Sequence, residues 1–91
     1  MVFRYKAGVN VSYIRQGYIY FTSLRYGELK EDKQRKIRQL CQECGGEHSK
    51  ALFEAVTTET PVDLICDKHY ISKTTYNKII RKYYEKFPMK L

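Results

Sequence analysis

A chain of 91 residues is short enough to be one domain, residues 1–91, and the core of such a small domain leaves little room for an enclosed active site. The formal net charge is +7, from 17 Lys+Arg against 10 Asp+Glu, and no apolar run approaches the length of a bilayer span, so we expect a polyanionic partner and no membrane. Three cysteines are an odd number and too few for a secreted disulfide scaffold, and no secretory signal is recognisable, so we expect reduced thiols and a cytoplasmic location.

The first predicted helix covers residues 11–26. The run Tyr-Ile-Tyr-Phe in this segment is typical of a strand, but apolar residues also recur at helical spacing. These are Ile14, Tyr18, Phe21 and Leu24. We favour a helix because Ser12 is a good N-cap and Gly27 can end the helix.

The next two predicted helices cover residues 29–44 and 48–57, separated by Gly45 and Gly46. The first has an apolar stripe with i, i+3, i+4, i+7 spacing, formed by Ile37, Leu40, Cys41 and Cys44. The second is short, and its apolar positions are Ala51, Leu52, Ala55 and Val56, with Phe53 beside them.

Two further helices are predicted in the C-terminal third. Thr60 as N-cap, Pro61 at the first helical position and Asp63 in the first turn indicate a helix that ends near residue 69. Ser72 is the expected N-cap of a last helix that runs to Phe87. The prediction is an all-α fold of about five short helices.

The spacing of the last two helices predicts a wingless helix-turn-helix at residues 60–87. Two helices that cross through a tight turn need a small residue where they nearly touch, and an apolar residue in the turn fills the remaining gap. Cys66 beside Ile65 is the small residue, Ile71 is the apolar turn residue, and Ser72 caps the second helix.

The outer face of the last helix is the predicted DNA-binding site. Residues 1–67 hold ten basic and nine acidic side chains, whereas residues 68–91 hold seven basic and one acidic. Asparagine pairs with adenine, Arg and Lys pair with guanine, and Lys and Thr contact the backbone. The candidate DNA-binding residues are Lys73, Thr74, Asn77, Lys78, Arg81 and Lys82. The first four lie near the helix start, which reads bases in this motif.

The motif resembles the helix-turn-helix of sigma-factor region four and of related small phage and mobile-element regulators of Gram-positive bacteria. The residues that carry the resemblance are Ile65-Cys66, Ile71-Ser72 and Thr74-Thr75-Tyr76, within a match of about 28 of the 91 residues. Cys66 replaces the usual alanine, and Tyr70 stands where glycine is common in the turn. The resemblance implies a sequence-specific double-stranded DNA-binding protein that regulates transcription of a phage or mobile element, with RNA polymerase as a further partner.

Two alternatives remain open. Cys41, Cys44, Cys66 and His69 form two half-sites with the spacing of a zinc-stabilised domain, but the cysteines also fit buried apolar positions, so we expect no metal and no cofactor. A protein-interaction adaptor, binding RNA polymerase or another phage protein, could present the same basic helix. Tyr5, Tyr13 and Tyr20 lie outside the predicted core pattern and could face such a partner or a second copy of the chain in a homodimer.

No catalytic residues are predicted. The sequence has no glycine loop that would cradle a phosphate and no Ser/His/Asp set. Its carboxylates alternate with basic residues along helices that face solvent, which is typical of surface ion pairs and not of acid–base catalysis. We therefore expect a protein that is not an enzyme.

Overall fold

The computed structural model describes residues 5–91, and this part of the chain is helical with no strand, as predicted. Its α-helices are α1 (Tyr13–Leu24), α2 (Glu31–Gly45), α3 (Ser49–Thr57), α4 (Val62–His69) and α5 (Lys73–Lys86). Short 3-10 turns at Tyr26–Glu28 and Gly46–His48 lie on either side of α2. Over residues 5–91, every helix is too short or too polar to cross a bilayer.

Helix α2 lies at the centre of the fold, where it packs against both α3 and α5. Its buried residues include the predicted stripe of Ile37, Leu40, Cys41 and Cys44, so this prediction is confirmed. The helix ends at Gly45, and its C-cap residue Gly46 has a φ of 55°, a conformation that residues with a Cβ rarely adopt. The chain then turns back, and Leu52 of α3 packs closely against Gly45.

Helix α1 forms where it was predicted, but it buries a different face. Ser12 is the N-cap, with its side chain accepting a hydrogen bond from the backbone N–H of Arg15, and the helix ends before Gly27, which lies in a 3-10 turn. Ile14 is 81% exposed, although it begins the apolar stripe that predicted the helix. The residues that α1 buries are Gln16, Ile19 and Ser23.

Two polar side chains lie in the core beneath α1 because each has a hydrogen-bonding partner there. The Ser23 hydroxyl lies 2.8 Å from the Tyr83 hydroxyl, and both residues are almost fully buried. Burial raises the pKa of the Tyr83 phenol far above its usual value. Gln16 is also fully buried, and its side-chain amide bonds backbone groups of the segment before α1.

The start of α4 differs by one residue from the prediction. Pro61, expected at the first helical position, is the N-cap, with an extended ψ of 149°. Thr60, expected as the N-cap, has its hydroxyl 2.8 Å from that of Thr58. Because Pro61 has no side-chain donor or acceptor, this helix start lacks a side-chain cap.

The turn between α4 and α5 places a tyrosine in a left-handed conformation. Tyr70 has φ 57° and ψ 46°, and its side chain is 94% exposed. The next residue, Ile71, donates its backbone N–H to the carbonyl of Cys66 at 3.1 Å, and its side chain is buried. A left-handed tyrosine is strained by about 1–2 kcal/mol because its Cβ approaches the backbone.

Replacing Tyr70 with glycine should therefore stabilise the protein relative to replacing it with alanine. Both variants remove the same exposed ring, but only glycine removes the Cβ that is strained at φ 57°. We expect Tyr70→Gly to unfold with a free energy about 1 kcal/mol higher than Tyr70→Ala. Urea denaturation of the two variants measures the difference, and equal midpoints would show that this turn is not left-handed in solution.

Candidate nucleic-acid interface

Helix α5 is fixed in the fold at both ends. At its start, the Ser72 hydroxyl accepts a hydrogen bond from the backbone N–H of Thr75 at 3.1 Å, as predicted. At its end, the Arg15 guanidinium of α1 donates to the carbonyls of Phe87, Pro88 and Met89. A cation at this end also interacts favourably with the helix dipole.

One face of α5 is buried, and the opposite face carries the predicted site. The buried side chains are Ile79, Ile80, Tyr83 and Tyr84, followed by Phe87 just after the helix. All six candidate residues are exposed: Lys73, Thr74, Asn77, Lys78, Arg81 and Lys82. The residue types that can contact bases and phosphates thus lie along one helix, on the side away from the core.

Three cations of this face are available to an anionic partner. Among residues 5–91, no carboxylate forms an ion pair with Lys78, Arg81 or Lys82. Lys73 differs, because its ammonium lies 2.9 Å from a carboxylate oxygen of Asp63 in α4. The hydrogen bond to Asp63 and the charge of its carboxylate raise the pKa of Lys73. Both partners are largely exposed, and such surface pairs are weak enough to exchange for a phosphate.

The sequence pattern did not predict that Lys6 lies close to this face. Lys6 and residues Asn77 and Arg81 line the same cleft, whose volume is about 460 Å³. Other residues that line it are Gly8, Val9, Val62, Tyr76 and Ile80. No periodic pattern marks the segment before α1, and Lys6 lies about 70 residues away from α5 in the sequence. Only the tertiary fold brings them together.

The four residues of the zinc alternative are not gathered into a ligand set. Among residues 5–91, no group of three or more His, Cys, Asp or Glu side chains is placed to hold a metal ion. Cys41 is buried, and desolvation followed by the nearby Cys44 raises the pKa of its thiol to about 12. In this fold Cys41 is therefore a buried, neutral thiol.

His69 has a different role from the one that the zinc alternative requires. Its Nε2 lies 2.9 Å from Oε1 of Glu54 in α3, and the Lys68 ammonium lies 3.1 Å from the same oxygen. These hydrogen bonds, the one from His69 above all, lower the pKa of the Glu54 carboxyl. His69 and Lys68 therefore join the end of α4 to α3.

Comparisons of the chain with protein-family models, with curated proteins and with solved structures give no match. The similarity to sigma-factor region four and to small phage regulators therefore stays a prediction from the quoted residues.

Proposed function

We propose that this protein is a sequence-specific double-stranded DNA-binding protein, and that α4 and α5 form its helix-turn-helix. The observation that carries the proposal is the outer face of α5, where three cations without an ion pair among residues 5–91 lie beside an exposed asparagine. A single helix with this combination can contact both phosphates and base edges. The resemblance described above makes regulation of transcription in a phage or mobile element the biological role that we infer.

The packing between α4 and α5 supports this proposal. Ile65 and Cys66 of α4 are buried, and so is Ile71 in the turn. The left-handed Tyr70 occupies the position where related turns commonly have glycine, and it adopts a backbone conformation that glycine favours. A small residue such as Cys66 lets two helices approach closely through a short turn, and an apolar turn residue such as Ile71 fills the remaining gap.

On the outer face of α5, residues at the start of the helix and residues further along it would contact different parts of the DNA. In this motif the first turns of the second helix contact base edges, and later turns leave the groove and meet phosphates. Lys73, Thr74, Asn77 and Lys78 therefore belong to the base-reading part. Arg81 and Lys82 lie further along α5 and belong to the phosphate-binding part.

Asn77→Ala should lower the affinity for the preferred duplex selectively. An asparagine that pairs with adenine contributes about 1–3 kcal/mol of discrimination, so the variant should lose about ten- to a hundredfold in affinity on a site selected from a random pool. It should lose little on a scrambled duplex. Titration of wild type and variant on both duplexes, at one salt concentration, measures the two losses.

Arg81→Ala is the matched control on the same face, because it removes a phosphate contact. It should weaken binding to the selected and the scrambled duplex about equally. If Asn77→Ala also loses the same affinity on both duplexes, α5 does not read sequence. The face would then serve non-specific DNA binding or contact with a protein.

A further inference from the structure

Residues 6–11 form a loop directly before α1, and the Gln16 side chain of α1 holds this loop against the helix. The backbone N–H of Lys6 donates to Oε1 of Gln16 at 2.8 Å, and Nε2 of Gln16 donates to the carbonyl of Lys6 at 3.1 Å and of Val11 at 2.9 Å. Val9 adds a turn by donating its N–H to the Lys6 carbonyl at 3.2 Å. The main chain of Lys6 is thus bonded on both its donor and its acceptor side.

The same loop is also attached to α5. The backbone N–H of Asn10 donates to Oε2 of Glu85 at 3.1 Å, and the side chain of Val9 is buried in the core. The loop and α5 both line the 460 Å³ cleft, with Lys6 on the loop and Arg81 on the helix. The Asn10–Glu85 hydrogen bond and the buried Val9 side chain therefore hold the loop in place beside α5.

The charges that line this cleft are all positive. Among residues 5–91, the charged side chains that line it are Lys6 and Arg81, and no carboxylate of this part of the chain does so. The nearest acid along α5, Glu85, already accepts a hydrogen bond from Asn10. Lys6 also lines a neighbouring cleft that contains Glu59, but the described residues include no ion pair of Lys6.

Lys6 is a partly buried cation without a counter-ion in the described part of the chain. Its ammonium lies 5.5 Å from the centre of the Tyr84 ring, which offers a weak cation–π contact. Burial alone lowers its pKa, because desolvation disfavours the charged form when no anion compensates it. An anion bound in the cleft would remove this penalty.

We propose that the cleft between the loop and α5 is a phosphate-binding site in which Lys6 and Arg81 hold the phosphate and Asn77 lies beside it. A phosphate oxygen accepts short, strong hydrogen bonds from ammonium and guanidinium groups. The phosphate can come from the DNA backbone or from a free phosphate group. With DNA as the source, the inference rests on the proposed function and adds the loop as a second DNA-contacting element.

Two NMR titrations of the complete ¹⁵N-labelled chain test this site. One uses a random-sequence duplex, and the other replaces chloride with inorganic phosphate at constant ionic strength. The reporting signals are the backbone amides of Lys6 and Arg81, with Thr74 and Lys78 as reporters of α5 outside the cleft. Shifts of Lys6 and Arg81 with duplex alone assign the site to the DNA backbone, and shifts with inorganic phosphate assign it to a free phosphate group.

The outcomes separate the site from the proposed function. If the duplex shifts Thr74 and Lys78 while neither the duplex nor inorganic phosphate shifts Lys6, the proposed phosphate-binding site is wrong and the proposed function stands. If phosphate shifts Lys6 and Arg81 while duplex shifts no signal, the site stands and the proposed function is wrong. If neither titration shifts any signal, both are wrong.

A pair of variants gives an independent measurement. Lys6→Gln removes the ammonium but keeps the backbone bonds to Gln16, so the loop should stay folded. The affinity of this variant for the duplex or for inorganic phosphate, whichever shifts the Lys6 signal, should fall about tenfold. This fall corresponds to the loss of roughly one charged contact. Lys50→Gln, at an exposed position on α3, makes the same charge change away from the cleft and should stay within about twofold of wild type. Equal affinities of the Lys6→Gln and Lys50→Gln variants would show that Lys6 does not bind phosphate in this cleft.

Discussion

Gln16→Leu should lower the free energy of unfolding by about 2–4 kcal/mol. Leucine has a similar volume, so the substitution removes hydrogen bonds without opening a large cavity. The backbone N–H of Lys6 and the carbonyl of Val11 would lose the partners that Gln16 provides. Each buried backbone group left unpaired costs about 1–3 kcal/mol. The Lys6 carbonyl keeps its bond from Val9 and adds less.

Urea denaturation followed by circular dichroism measures this effect, and Gln39→Leu is its matched control. Gln39 is exposed on α2, and surface substitutions of this kind usually change stability by no more than about 0.5 kcal/mol. A loss below about 1 kcal/mol for Gln16→Leu would mean that water satisfies these backbone groups and that the loop is not held by Gln16.

Ile65→Ala should lower the free energy of unfolding by about 2–5 kcal/mol, the usual cost of truncating a fully buried isoleucine. Ile65 is 0% exposed. Helix α4 has only eight residues, and Ile65 and Cys66 are its only buried ones. Because a helix this short is not stable by itself, the variant should also loosen the contact between α4 and α5.

The matched control for this prediction is the adjacent residue. Leu64→Ala removes an aliphatic side chain of similar size from the same helix turn, but Leu64 is 57% exposed. We expect a change within about 0.5 kcal/mol. Chemical denaturation of both variants gives the comparison, and similar losses at the two positions would contradict the orientation of α4 in this fold.

The elements with a strong periodic pattern were predictable from the sequence. The apolar stripe of α2 is buried as expected, because its neighbours on the other face are charged and leave only one way to orient the helix. The start of α5 was also predictable, since the Ser72 cap is a local interaction within four residues.

The buried face of α1 was not predictable, because it depends on partners far away in the sequence. Gln16 and Ser23 are polar residues that periodicity assigns to solvent. Each becomes suitable for the core only when a specific partner is present, such as the Tyr83 hydroxyl 60 residues later. With these residues inside, Ile14 is left exposed on the opposite side.

The candidate site was predictable only in part for the same reason. The exposed face of α5 follows from the pattern of that helix alone. The ion pair between Lys73 and Asp63 depends on how α4 meets α5, and the position of Lys6 depends on the Gln16 amide. A single sequence carries no local signal for such contacts.

DNA binding by α5 is tested most directly by duplex affinity as a function of salt, measured by fluorescence anisotropy for three proteins. The wild type is compared with Arg81→Gln/Lys82→Gln on α5 and with Lys30→Gln/Lys50→Gln, which removes the same charge from exposed positions elsewhere. Each neutralised phosphate contributes about −0.9 to the slope of log affinity against log salt. We expect a steep slope for wild type and for the Lys30/Lys50 variant, and a slope flatter by about two phosphate contacts for the α5 variant. A flat slope for wild type, or equal slopes for the two variants, would contradict DNA binding by α5.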